Sequence, residues 1–170
     1  MERPVVPGRH PHAVGRQGHR RPWPGEGPPR GRCRVIRDHA RATLAFQHVL
    51  AIKEERDDGF QKKYRSICLK LPTLVHTQGL APALHFLTAR GDSGQWAILP
   101  QLCEQLEAAG LVTPARGDRT RHLLEQVRAA DLATLQALTR ETQRVLTWYK
   151  RFVQAELREP DDDAAPGGPA

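Results

Sequence analysis

Two groups of basic residues stand at spacings that could do chemistry. Lys62, Lys63 and Arg65, followed by Lys70, put four cations into nine residues. Arg140, Arg144, Arg151 and Arg158 recur at intervals of four, seven and seven, which on a helix gathers them on one narrow arc. Lys150 stands beside them. Stripes of this kind neutralise phosphates, giving an affinity that ignores sequence and falls steeply with salt. A merely solvated face mixes signs, whereas this arc holds four Arg and no acid.

No residues assemble a catalytic constellation. The phosphate-cradling G-x-x-x-x-G-K-[ST], the dinucleotide G-x-G-x-x-G, the nucleophile G-x-S-x-G and the zinc-binding H-E-x-x-H are all missing. His10-Pro11-His12 lies in a stretch without a framework, and His39 and His48 are too far apart to ligate one metal from adjacent turns. His76, His85 and His122 stand alone. Cys68 and Cys103 sit in apolar stretches and act as small hydrophobes. The pairs Glu54-Glu55 and Asp57-Asp58 are solvated acids at a helix end. The expectation is a protein that is not an enzyme, with no metal, no cofactor and no small-molecule substrate.

The chain that must position these cations has 170 residues in three unlike parts. Residues 1–34 carry eight Arg against two Glu (+6) and seven of the fourteen Pro. They cannot bury enough apolar surface to offset the entropy of ordering, and are expected to be a disordered basic arm. Its two readings are an arm that holds nucleic acid and an over-extended translation start ahead of Val35. Residues 159–170 carry four acids and no base (−4), an expected disordered acidic tail. Between them, residues 35–158 (+5) are the right size for one domain. There is no apolar run of 18 to cross a bilayer, no secretory h-region, and three Cys at spacings that make no disulfide framework. The expected setting is the cytoplasm, away from membranes.

The block reads as all-α, one bundle of about six helices. Ile36, Ala40, Leu44, Val49 and Ile52 fall at helical intervals over 35–55. A second helix over 60–78 carries Tyr64, Ile67, Cys68, Leu71, Leu74 and Val75, with Pro72 inside it and expected to bend it. Gly79 is suited to its end and Leu80 opens a third helix to Ala89. Ser93 is expected to cap a fourth to Ala109, and Asp118 a fifth over 119–129. Asp131 caps the longest, to about Arg158. On it Leu135, Leu138, Thr142, Val145, Leu146, Tyr149, Phe152 and Val153 share a stripe about 120° wide. The aromatics mostly occupy core positions, so base stacking is not expected.

The residues also resemble a family. Lys63-Tyr64-Arg65-Ser66, Leu69-Lys70-Leu71-Pro72 and Gln78-Gly79-Leu80 through Leu87 look like the "Y-x-S-x-x-x-x-L-P-x-x-I-x-x-x-G-L-x-x-x-L-x-F" signature of the small subunit of Cmr CRISPR complexes. Thr139-x-Glu141-Thr142 through Trp148-Tyr149-Lys150-Arg151-Phe152 is similar to that family's closing "T-x-E-x-L-x-x-x-x-W-L-K-R-F". Arg41 through Val49 matches "R-A-x-x-A-x-x-H-V". The basic arm lies outside the pattern, and Thr142 and Tyr149 replace the usual aliphatics. The resemblance implies a non-catalytic, all-α subunit of a type III-B antiviral-defence complex. Such subunits stack as a filament and hold crRNA and target RNA while other subunits cut. Its partners would be other Cmr subunits, copies of itself and RNA. The residues expected on the RNA backbone are Lys62, Lys63, Arg65, Lys70, Arg140, Arg144, Lys150 and Arg151. Tyr64, Leu71, Pro72, Gly79, Leu80, Trp148 and Phe152 match the motif as packing and turn residues.

Two rival readings compete. Leu106 through Arg119 looks like the helix end and wing of a winged-helix DNA-binding regulator, but the second β-strand that a wing needs is replaced by a helical pattern. A helical adaptor that binds only protein would have no salt-dependent RNA affinity.

Overall fold

The computed structural model describes residues 30–89 and 93–157. They form α1 (Arg30–Glu55), α2 (Asp58–Gln78), α3 (Leu80–Ala89), α4 (Ser93–Trp96), α5 (Ile98–Ala108), α6 (Arg119–Ala129) and α7 (Leu132–Glu156), with no strand among the described residues. The all-α expectation holds. So does the objection to a wing: residues 111–118 lead without a strand into α6.

Local chemistry sets the boundaries. Asp57, Asp118 and Asp131 each accept a hydrogen bond from a backbone N–H two or three residues on, at Phe60, Thr120 and Thr134 respectively. Gly79 (φ 89°) and Gly110 (φ 70°) take the positive φ that ends a helix cheaply only at glycine. α2 continues through Pro72.

Three expectations change. The fourth helix is two, α4 and α5, because Pro100 has no N–H for the Trp96 carbonyl and its ring would collide with it. The chain turns at Ala97, and Trp96 Nε1 donates to the Leu87 carbonyl at 2.8 Å, tying α4 to the end of α3. The Ser93 side chain and Arg158 lie outside the described residues. Secondly, α1 begins at Arg30, so the last five residues assigned to the disordered arm are helical. Past Pro29 no further proline interrupts α1. Residues 1–29 lie outside the described residues.

The third change concerns which face of α1 is buried. Ile36 is 66% exposed, Ala40 is exposed and Leu44 only half-buried. Val49 and Ile52 are buried as expected, but towards the N-terminus the core face is Arg41 and Ala45, the four making a ridge of i, i+4, i+8 and i+11. An arginine therefore sits on the apolar stripe of α1.

α7 lies at the centre, packed against α1, α2, α3 and α5. Its buried residues are Leu138, Thr142, Val145, Leu146, Tyr149 and Val153 of the expected stripe, plus Glu141. Lateral pairs between α1 and α7 advance together: Arg41 with Glu141, His48 with Tyr149, Lys53 with Glu156. The first and last helices thus run side by side in the same direction.

Candidate nucleic-acid interface

The buried arginine and the buried glutamate find each other across this seam. Arg41 Nη2 donates to Glu141 Oε2 at 2.8 Å and its Nε donates to Oε1, a two-pronged pair. Arg41 Nη1 also donates to Asp38 Oδ1 at 2.6 Å. These acids hold the guanidinium pKa above its ordinary value, with Glu141 the largest influence and burial opposing it. Gln105 of α5 donates to the Arg41 carbonyl at 3.2 Å, fixing α5 to the same point. Arg41 and Glu141 are only 8% and 6% exposed, so each depends on the other for its solvation.

Around this pin α1, α5 and α7 leave a groove of about 470 Å³. Its floor is small and apolar (Ala40, Leu44, Ala108, Ala109, Ala137), and Arg37, Arg140 and Arg144 stand on it. Among the described residues Glu141 is the one carboxylate in the lining. It is already committed to Arg41 and stands 3.7 Å from Arg144 Nη1. Arg37 and Arg140 have no acidic partner among the described residues, and both are exposed. Such a groove presents uncompensated positive charge to anything entering it.

The expected cations divide between two places. Arg140 and Arg144 come together in the groove, joined by Arg37 and Arg41, which sequence reading did not single out. Arg151 lies two turns beyond Arg144, its guanidinium carbon 5.3 Å from the Trp148 ring centroid. Lys150 is exposed on the α7 flank. The α2 set does not line the groove. Lys62 and Lys70 are exposed and Arg65 is half-buried. The Lys63 stem packs against Gly94 of α4, so that helix is seated partly on the methylenes of an expected RNA contact.

Tyr64 and Leu71 are fully buried and Leu80 nearly so, and Tyr64 donates to Gln101 Oε1 at 2.6 Å. The expectation that aromatics mostly sit in the core holds for Tyr64 and Tyr149 but not along the seam. Phe46 is 37% exposed, and Trp148 and Phe152 are half-buried beside it. A signal for the missed pair was present. Glu141 is an acid at the edge of the apolar stripe of α7, and Arg41 a base at an apolar position of α1. Both lay in matched motif blocks, one hundred residues apart.

Together these features define a class: an all-helical module with no metal-ligating cluster among its described residues, whose first and last described helices frame an arginine-lined groove. Residues 37–156 match the family described as CRISPR-associated protein (Cas_Cmr5), and the chain belongs to that family. It is similar to the CRISPR system Cmr subunit Cmr5 of Thermus thermophilus, 37% identical over 97 residues, or 57% of this chain and 77% of that protein. It is also similar to the crystal structure of a CRISPR-associated Cmr5 family protein from the same organism. The TM-score there is 0.58 at 34% identity, over 71% of this chain and 96% of that one. The family match begins at Arg37, on the groove, and ends at Glu156, the last residue of α7.

Proposed function

We propose that this chain is the small subunit of a type III-B CRISPR effector, gripping RNA by its backbone while other subunits cut. The observation that supports this most is the α1–α7 groove, where Arg37, Arg140 and Arg144 face outward and the one carboxylate among the described lining residues is already bound to Arg41. Guanidinium groups pair with phosphate oxygens through two parallel N–H donors, which suits a ligand whose sequence is read by base pairing elsewhere. Lys62, Lys70 and Lys150 supply further exposed charge on the helical block, and the +6 of residues 1–34 adds long-range attraction. In this reading the chain forms no covalent intermediate and needs no cofactor. It works by stacking with copies of itself along the complex.

The test is to co-express the chain with the other genes of its locus and compare wild type with Arg140→Glu/Arg144→Glu. Wild type should co-purify with large Cmr subunits and repeat–spacer RNA. The variant should still assemble but hold target RNA more weakly, and its log K against log salt should be shallower by about 0.7 for each phosphate it no longer neutralises. Assembly with an unchanged slope would favour an adaptor that binds only protein. A monomer that captures neither RNA nor Cmr subunits would end the proposal.

A further inference from the structure

Beyond the groove, the same seam carries a ladder of flat groups. Phe46 of α1 meets Phe152 of α7 edge to face, 5.2 Å between centroids at 63°. Trp148 stacks on Phe152 at 5.9 Å and 22°. The Arg151 guanidinium lies over Trp148 at 5.3 Å and is itself exposed. On α7, residues 140, 144, 148 and 152 form one i, i+4 row that climbs about 6 Å per step. Two groove arginines are therefore followed, on one line of the helix, by two stacked rings capped with a guanidinium.

We infer that this ladder is a base-stacking platform for single-stranded RNA: phosphates seat on Arg37, Arg140 and Arg144, and a nucleobase stacks at the exposed Arg151–Trp148 end. The inference rests on the backbone-gripping reading and adds to it a contact with bases. Aromatic rings and arginine planes both accept an unpaired base, and every base has a face to offer, so the contact stays indifferent to sequence. Duplex RNA is a poor occupant because its bases are already stacked. Charge favours RNA over a protein partner. Arg144 and Arg151 flank the ladder on α7 and both are exposed, and Arg37 and Arg140 in the adjoining groove have no acidic partner among the described residues, so a polyanionic chain complements this surface.

The chain has three tryptophans, Trp23, Trp96 and Trp148, so Trp23→Phe/Trp96→Phe leaves Trp148 as the sole indole reporter. This full-length variant is titrated at low salt with a uridine 12-mer and with an abasic 12-mer of equal charge. Stacking predicts quenching by the first and not by the second. In the wild-type background, Trp148→Leu should weaken 12-mer binding roughly 5- to 150-fold without changing the salt slope, while Trp148→Phe retains most of the affinity. Equal responses to the two oligonucleotides overturn the platform. So does unchanged binding by Trp148→Leu; if Arg140→Glu/Arg144→Glu still weakens binding, backbone gripping survives alone. If the full chain binds neither oligonucleotide, both readings fall together. Should Trp148→Leu fail to fold, the fluorescence comparison decides.

Discussion

Replacing Arg41 by Met should unfold this protein more readily than almost any other single change to a polar residue. The side chain is 8% exposed and makes two hydrogen bonds to Glu141, which is 6% exposed. Without it the Glu141 carboxylate is left with Arg144 Nη1, 3.7 Å away. Removing one member of a buried pair costs about 3–5 kcal/mol. The groove gives Glu141 some access to water, which puts the expected loss near the lower end, about 3 kcal/mol. With an unfolding entropy of about 2.1 cal/mol/K per residue over some 120 residues, that is about 12 °C in Tm. Glu141→Leu should cost less, about 1–2 kcal/mol, because Arg41 keeps its bond to the half-exposed Asp38 at 2.6 Å. The double variant Arg41→Met/Glu141→Leu should return to within about 1 kcal/mol of wild type or exceed it, since apolar groups of similar volume replace both charges. Urea titrations followed by circular dichroism measure all three. If the double variant is as unstable as Arg41→Met, the loss comes from packing and not from a stranded charge.

Three further outcomes are expected. Burial holds the His48 pKa below its ordinary 6.5 despite the raising pull of Glu104, so the folded state binds fewer protons than the unfolded one. Its contribution to stability is complete above about pH 6.5 and is lost as pH falls from there through the folded value; His48→Gln should flatten that part of the Tm–pH curve. Gly94→Ala would put a Cβ 2.8 Å from Lys63 Cβ and 3.2 Å from the Phe60 carbonyl oxygen, which should cost about 1–3 kcal/mol in thermal denaturation by prising α4 from α2. Burial pushes the Cys103 thiol up to about 12 and that of Cys68 higher still. In a Cys33→Ser background, iodoacetamide should therefore label the native protein only as fast as it opens, and promptly in urea.

Much of the fold was legible because it rests on local signals. α3 and α6 run as expected, from Leu80 to Ala89 and from Arg119 to Ala129, because a glycine or an aspartate punctuates each of them. The stripe of α7 was equally plain, since eight apolar or small residues repeat at the helical period. What was illegible depends on a partner. The buried face of α1 was read correctly at Val49 and Ile52 but misjudged before them, because Arg41 counts as polar until Glu141 neutralises it, and no local rule connects residues one hundred apart. The break at Ala97 was readable from Pro100 but was overridden by the apolar run around it. Of the expected RNA contacts, Arg140 and Arg144 share a groove because they share a helix face. The α2 lysines stand apart from it because sequence spacing orders residues within a helix but does not say where another helix will lie.

The side-by-side pairing of α1 and α7 has a consequence for synthesis. The ribosome finishes α1 at residue 55 and α7 at residue 156. At 5–20 residues per second, about 5–20 s separate the two. Throughout that interval the ridge of Ala45, Val49 and Ile52, and the apolar face of α2, have no seventh helix to cover them. Arg41 meanwhile keeps its hydration, because the carboxylate that will claim it has not been made. A charged residue in the middle of that unfinished ridge lowers its stickiness while the nascent chain waits. The ion pair that costs desolvation in the finished fold could thus guard the unfinished one against aggregation, and Arg41→Met/Glu141→Leu would trade that protection for stability.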